Sequence, residues 1–157
     1  KTEIRPNAVR VYLASTLIKY KDQTVDPAIS DKIEYTEIDL SESSYKLAPK
    51  EFVLGSTVES IKTPRNIIGF LDGRSTLARL GLMIHMTAAI TDGLYEEPRT
   101  ITLEIYNASN MEIILSDKMA IGSLLFAELD QPVTQDAQSQ YRNQRGVFPA
   151  NLKGQFS

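Results

Sequence analysis

No part of this chain carries the apolar spacing of a long amphipathic helix. Its hydrophobic residues fall in short runs, each closed by a proline, a glycine or a polar turn. That pattern restricts the fold to one built from many short strands. The segment TITLEIY at 100–106 shows it most cleanly. Ile101, Leu103 and Ile105 point to one face of a strand, and Thr102, Glu104 and Tyr106 to the other. Strands are expected at 9–13, 33–40, 52–58, 67–71, 82–87, 100–106, 111–115 and 120–126. Pro6, Pro27, Pro49 and Pro64 fall between these runs, where a missing N–H breaks no ladder. Residues 107–110 and 116–118 read as turns. One short helix is expected at 75–80, with Leu77 and Leu80 docking on a sheet and Ser75 and Arg79 on the opposite face.

With 157 residues, the chain suits a single domain spanning 1–157. The tail at 130–157 is polar and cannot bury a core alone, so it is expected to order over a ligand, or a neighbouring subunit, or not at all. A net charge of −3 argues against a broad nucleic-acid surface, leaving any phosphate to a few local cations. No apolar run approaches the roughly 18 residues of a membrane-spanning helix, and no signal peptide stands at the start. The chain opens on Lys1 rather than Met, as a piece lacking its native start would.

There is no cysteine and a single histidine, His85. Disulfide scaffolds, thiol catalysis and Cys-rich zinc sites are therefore excluded. So is the zinc arrangement of the common nucleobase deaminases, which needs a P-C-x-x-C motif. Any deamination must activate water with a carboxylate and no zinc. A Ser-His-Asp triad would have to use His85, and a lone histidine is more often a packing residue.

Three groups carry possible chemistry. Glu104 faces away from the apolar side of its strand. It is either an ordinary solvent-facing residue or a general base at a pocket wall, where burial penalises a carboxylate's charged form. Arg74, Ser75 and Arg79 cluster at the short helix. A helix start flanked by arginines suits phosphate, although exposed arginines on an amphipathic turn are common. Asp92, in TDGLY, is either a turn residue or a carboxylate that holds a sugar hydroxyl or a water.

The motifs GRSTLARLGL at 73–82, HMTA at 85–88, TLEIYN at 102–107 and YRNQRG at 141–146 occur in order, and I-x-L-(x)3-M-x-I-G-x-L-x-F runs from 113 to 126. Together they resemble the dCTP deaminases, within the dUTPase-like superfamily, from about Ile67 to Gly146. IRPNAVRVYL at 4–13 is more weakly similar, with Arg10 standing where an Asp is usual. The resemblance implies an all-β, dUTPase-like distorted jelly roll or barrel with one short helix. It implies a homotrimer with sites between subunits, a cytoplasmic location that the lack of cysteine fits, and Mg²⁺ carried by the triphosphate with no protein metal ligands. It also implies zinc-independent deamination at cytosine C4, giving dUTP and ammonia.

By position, Glu104 matches the proton-shuttling carboxylate, and Ser75 and Arg79 match residues that organise the site. Arg74, Thr76, Leu77 and Ala78 lie in the phosphate-contacting segment. Ala88 matches a backbone contact to base and water, Asp92 the residue near the deoxyribose, and Thr102 and Leu103 further backbone contacts. Gln144 matches the tail glutamine that closes over phosphate. Three departures bear on the substrate, the first being a segment between Leu129 and Tyr141 that is shorter than usual, with no match for a Tyr that contacts the nucleotide. ITDGLYEEPRT at 90–100 lacks the proline usual after Asp92 and carries about two extra residues, which implies a reshaped sugar loop. Gln140 stands where a phosphate-binding lysine is common. A dUTPase or bifunctional enzyme releasing dUMP and pyrophosphate, and a non-catalytic nucleotide-binding homologue, stay open as alternatives.

Overall fold

Short strands and frequent turns give a mostly β molecule with a single short helix among the described residues. The computed structural model describes residues 3–30, 32–91, 93–136, 140–141 and 144–152. In chain order the strands are β1 (Ile4–Arg5), β2 (Ala8–Tyr12), β3 (Thr16–Tyr20), β4 (Tyr35–Asp39), β5 (Tyr45–Leu47), β6 (Phe52–Ser56) and β7 (Ile67–Gly73). The helix α1 (Ser75–Arg79) follows, then β8 (Leu82–Met83), β9 (Ile90–Thr91), β10 (Thr102–Asn107), β11 (Ile113–Leu115) and β12 (Ala120–Glu128). One sheet runs β1-β2-β12-β7-β9, a second runs β4-β3-β6-β10-β8, and β11 pairs with β5.

All three sheets feed one core. Val11, Leu71, Ile121 and Leu124 come from the first, and Leu17, Val53, Leu82, Leu103 and Ile105 from the second. Leu47, Ile113 and Leu115 come from the two-stranded pair of β5 and β11. Each such side chain contributes about 1.5–3 kcal/mol by leaving water. No helix among the described residues is long and apolar enough to cross a membrane.

Each expected strand overlaps an observed one, but the boundaries differ for physical reasons. The strand β3 was not expected, because the strand expected at 9–13 ends at Leu13 and no turn signal in ASTLIKY marks a second one. Between the two strands Ala14 donates its N–H to Ser56 O at 2.9 Å. Leu17 and Ile18 are then both buried, which erases the alternation. Leu17 joins the core cluster, whereas Ile18 pairs with Leu54 outside it. The strands β1, β5 and β9 were also missed; they span two or three residues each, too short for a period to register. The strand expected at 82–87 stops at Met83, and the reason lies in the site described below.

The helix spans Ser75–Arg79, with Arg74 at its N-cap position and no side-chain cap. Leu77 packs on the core as expected. Leu80 does not: it is 43% exposed, because the helix has already ended and the chain turns at Gly81. Gly81 has φ +86°, and a Cβ there would sit 2.9 Å from the Ser109 Cβ. Its carbonyl accepts from the Ala108 N–H at 2.8 Å, which ties α1 to the turn after β10.

Two buried polar knots fix the second sheet. Asn107, expected in a turn, is the last residue of β10 and is fully buried. Its Nδ2 donates to Leu47 O and Ala48 O at 3.1 Å and to Met111 O at 2.7 Å. Its Oδ1 accepts from Ser109 N at 3.0 Å and Ser109 Oγ at 2.7 Å. Glu51 forms the second knot. Its carboxylate accepts from Tyr45 Oη and Ala48 N, both at 2.7 Å, and pairs with Lys19 Nζ at 2.5 Å.

Burial pushes the Glu51 carboxyl up, but the bonds from Lys19, Tyr45 and Ala48 outweigh it and leave the pKa below the ordinary 4.5. A folded-state value below the unfolded one gives stability that is present above about pH 4.5 and lost as pH falls through the folded value. Glu51→Gln should therefore cost about 1–2 kcal/mol at pH 7, with the cost shrinking towards pH 3. Urea titrations of both proteins at the two pH values measure the difference.

Candidate active site

The strand β10 carries Glu104 on a regular alternation. Leu103 and Ile105 are fully buried in the core, and Thr102, Glu104 and Tyr106 are half-buried on the opposite face. Leu54 lies in register beside Glu104, and Phe52 beside Tyr106. Thr102, Glu104, Leu54 and Phe52, with Tyr20 from β3, floor a cavity of about 500 Å³. Met86, Thr87 and Ala88 wall one part of it, and Tyr141, Gln144, Phe148, Pro149 and Ala150 another.

The carboxylate is aimed by backbone. Glu104 Oε2 accepts the Met86 N–H at 2.7 Å, and the Glu104 N–H donates to Ile84 O at 3.0 Å. This explains the short β8. After Met83 the main chain leaves the ladder and gives the Met86 N–H to a side chain, swinging 86–88 outward as a wall. Leu54, Phe52 and Met86 line the same cavity as the carboxylate. A group so placed can exchange protons with a ligand held in that cavity.

The tail segment docks on the approach to β10. The Thr100 N–H donates to Gln144 O at 3.3 Å, and Thr100 Oγ1 to Gly146 O at 3.0 Å. Gln144 is buried, and its Nε2 donates to Thr102 Oγ1 and, at 3.1 Å, to Gly146 O. The Ala150 N–H donates to Tyr20 Oη and the Asn151 N–H to Tyr141 Oη, each at 2.9 Å. Burial raises the Tyr20 phenol above its usual range, so it stays neutral. A smaller cavity of about 150 Å³ adjoins the first and shares Ala88, Thr102, Tyr141 and Gln144 with it. Thr91, Leu94 and the buried Arg99 also line it.

The structure thus brings together Glu104, Ala88, Thr102 and Gln144, with Leu103 buried beneath them and offering only its main chain. It does not bring Arg74, Ser75, Thr76, Leu77, Ala78 or Arg79 to either cavity of the same chain. Ser75, Thr76, Ala78 and Arg79 are exposed. The Arg74 guanidinium donates to Ala120 O at 3.0 Å, so part of its bonding capacity holds the start of β12. Asp92 lies outside the described residues; Thr91 before it lines the smaller cavity. Among the described residues, no group of three or more His, Cys, Asp or Glu side chains could cage a metal ion. Tyr20, Phe52, Leu54 and Phe148 were not singled out from sequence, and Tyr141 only as the first residue of the YRNQRG motif. Only the pairing of β3, β6 and β10 puts the first three beside Glu104.

Residues 2–129 match the family model described as dCTP deaminase-like. The chain belongs to that family. The dCTP deaminase of Buchnera aphidicola is 46% identical over 110 residues, covering 68% of this chain and 56% of that protein. The dCTP deaminase of Haemophilus ducreyi is 40% identical over 127 residues, covering 78% of this chain and 64% of that protein. The chain therefore matches less than two thirds of the length of either relative. Among solved structures, the Staphylococcus bacteriophage 80alpha dUTPase with dUPNHPP superposes with a TM-score of 0.54 at 12% identity, covering 88% of this chain and 82% of that one. That likeness makes the fold dUTPase-like, as the dCTP deaminase-like sequence led one to expect.

Proposed function

We propose that this chain deaminates dCTP hydrolytically to dUTP and ammonia. The observation that carries the reading is the Glu104 carboxylate, aimed by the Met86 N–H into a largely apolar cavity of about 500 Å³, in a member of the dCTP deaminase-like family. Cytosine enters with N3 and the C4 amine towards Glu104. The carboxylate takes a proton from water, and the resulting hydroxide bonds to C4 as the C4–N3 π bond opens and N3 accepts that proton. Glu104 then moves the hydroxyl proton to the amine, the C4–N bond breaks, ammonia leaves and the C4 carbonyl forms. The backbone of Ala88, with those of Thr102 and Leu103, borders the base, and Gln144 lies over the nucleotide. Mg²⁺ enters with the triphosphate, whose charge it offsets, and no carboxylate cage is needed for it.

Ser75 and Arg79 act in this reading on the cavity of a neighbouring chain, within a cytoplasmic homotrimer. Their exposure and their absence from the lining of their own cavity support that assignment. Mixing Arg79→Ala chains with Glu104→Gln chains and refolding them together tests it. Shared sites give about a quarter of the wild-type activity by random assembly, whereas sites made within one chain give none.

Product analysis with Mg²⁺ and either dCTP or dUTP tests the reaction itself. Ammonia and dUTP from dCTP are expected. Pyrophosphate and dUMP from dUTP would instead make the chain a dUTPase or a bifunctional enzyme and direct attention to Asp92, whose Asn variant should then lose pyrophosphate release. Binding without turnover of either nucleotide would make it a non-catalytic homologue.

A further inference from the structure

We propose that Tyr20 is a positioning residue, whose phenol holds the segment 147–151 across the Glu104 cavity of its own chain and so completes the wall that retains the substrate. The inference rests on the deaminase reading and adds to it a role for a strand that no motif marks.

The segment is fastened at two points. Upstream, Gly146, with φ +78°, turns the chain, and its carbonyl accepts from Thr100 Oγ1 at 3.0 Å and Gln144 Nε2 at 3.1 Å. Downstream, the Ala150 N–H reaches the Tyr20 phenol at 2.9 Å, across 130 positions of sequence. Between the two lie Phe148 and Pro149, which line the cavity. Phe148 remains 45% exposed, so its own burial holds the segment only in part. The hydrogen bonds at either end therefore decide where this piece of chain sits.

Tyr20 is built for that task. Its ring stacks on Phe52 with centroids 6.4 Å apart and planes 20° apart, fixing the direction of the phenol. Both rings belong to the cavity floor, so the fastening point moves with the surface that bears Glu104. The Asn151 N–H on Tyr141 Oη adds a second bond one residue further on. All of these contacts lie within one chain, so this segment closes over its own Glu104.

Tyr20→Phe keeps the ring and its stacking and removes only the acceptor. Amide exchange at Ala150, read by NMR on the full chain, should become about five-fold faster, the effect of one lost hydrogen bond. The KM for dCTP should rise by about the same factor, with kcat within about two-fold of wild type. Tyr35→Phe, the exposed cross-strand neighbour of Tyr20, should change neither. Unchanged Ala150 exchange in Tyr20→Phe overturns the proposal. So does faster exchange with an unchanged KM, which would make the bond structural only. A wild-type protein that consumes no dCTP is a separate failure: it removes the deaminase reading, and with it the substrate-retaining role.

Discussion

Glu104→Gln should lower dCTP deamination by about 10³-fold or more while leaving the fold and assembly unchanged. The size follows from the number of transfers assigned to one group: it takes a proton from water, delivers it to N3, and then protonates the leaving amine. General acid–base participation contributes about 10²–10⁴-fold, and an amide can do none of it. The structural neutrality follows from geometry. The bond to the carboxylate comes from the Met86 N–H, and a glutamine oxygen accepts that bond equally well. Glu104 faces the cavity, with core residues Leu103 and Ile105 on either side of it pointing the other way. Steady-state ammonia release, with circular dichroism and sedimentation as controls, measures both halves. A variant that retains more than about a tenth of wild-type activity would remove Glu104 from the mechanism.

Asn107→Ala should produce the largest loss of stability of any substitution considered, about 3 kcal/mol. The side chain is fully buried and uses both of its polar atoms. Truncation takes this partner from the carbonyls of Leu47, Ala48 and Met111 and from the N–H of Ser109. A buried polar group without a partner costs about 1–3 kcal/mol; Leu47 is buried, and the other three lose a bond at partly or fully exposed positions. Asn107→Asp should be no milder. It keeps the acceptor for Ser109 but turns a carboxylate oxygen towards three carbonyls. The consequence reaches the site, because Asn107 closes the strand that holds Glu104 three positions earlier. Urea unfolding gives the stability loss directly, and KM measured well below the unfolding midpoint reports any shift of β10.

Much of this was legible in the sequence. The alternation in TITLEIY set Leu103 and Ile105 inward and Glu104 outward, and the structure has them so. The short helix at Ser75–Arg79 and the family membership were legible too. What escaped was whatever depends on pairing between distant segments. Asn107 holds the turn after it through Ser109 and Met111, as its sequence context suggests, but its bonds to residues 47 and 48 lie too far along the chain to be read there. The aromatic floor of the cavity stayed hidden because Tyr20 and Phe52 meet only through the pairing of β3 and β6. The early end of β8 could not be read from an apolar run, since a side chain on another strand takes the N–H that would otherwise extend the ladder.

That last arrangement has an evolutionary side. The donor that orients Glu104 is a main-chain N–H, which every amino acid but proline supplies. A change of side chain at residue 86 alters the cavity wall it forms but leaves the reactive carboxylate its aim. The feature on which the chemistry most depends is in this way hidden from selection on the residue that provides it, and a substitution to proline is the one change at that position that would expose it.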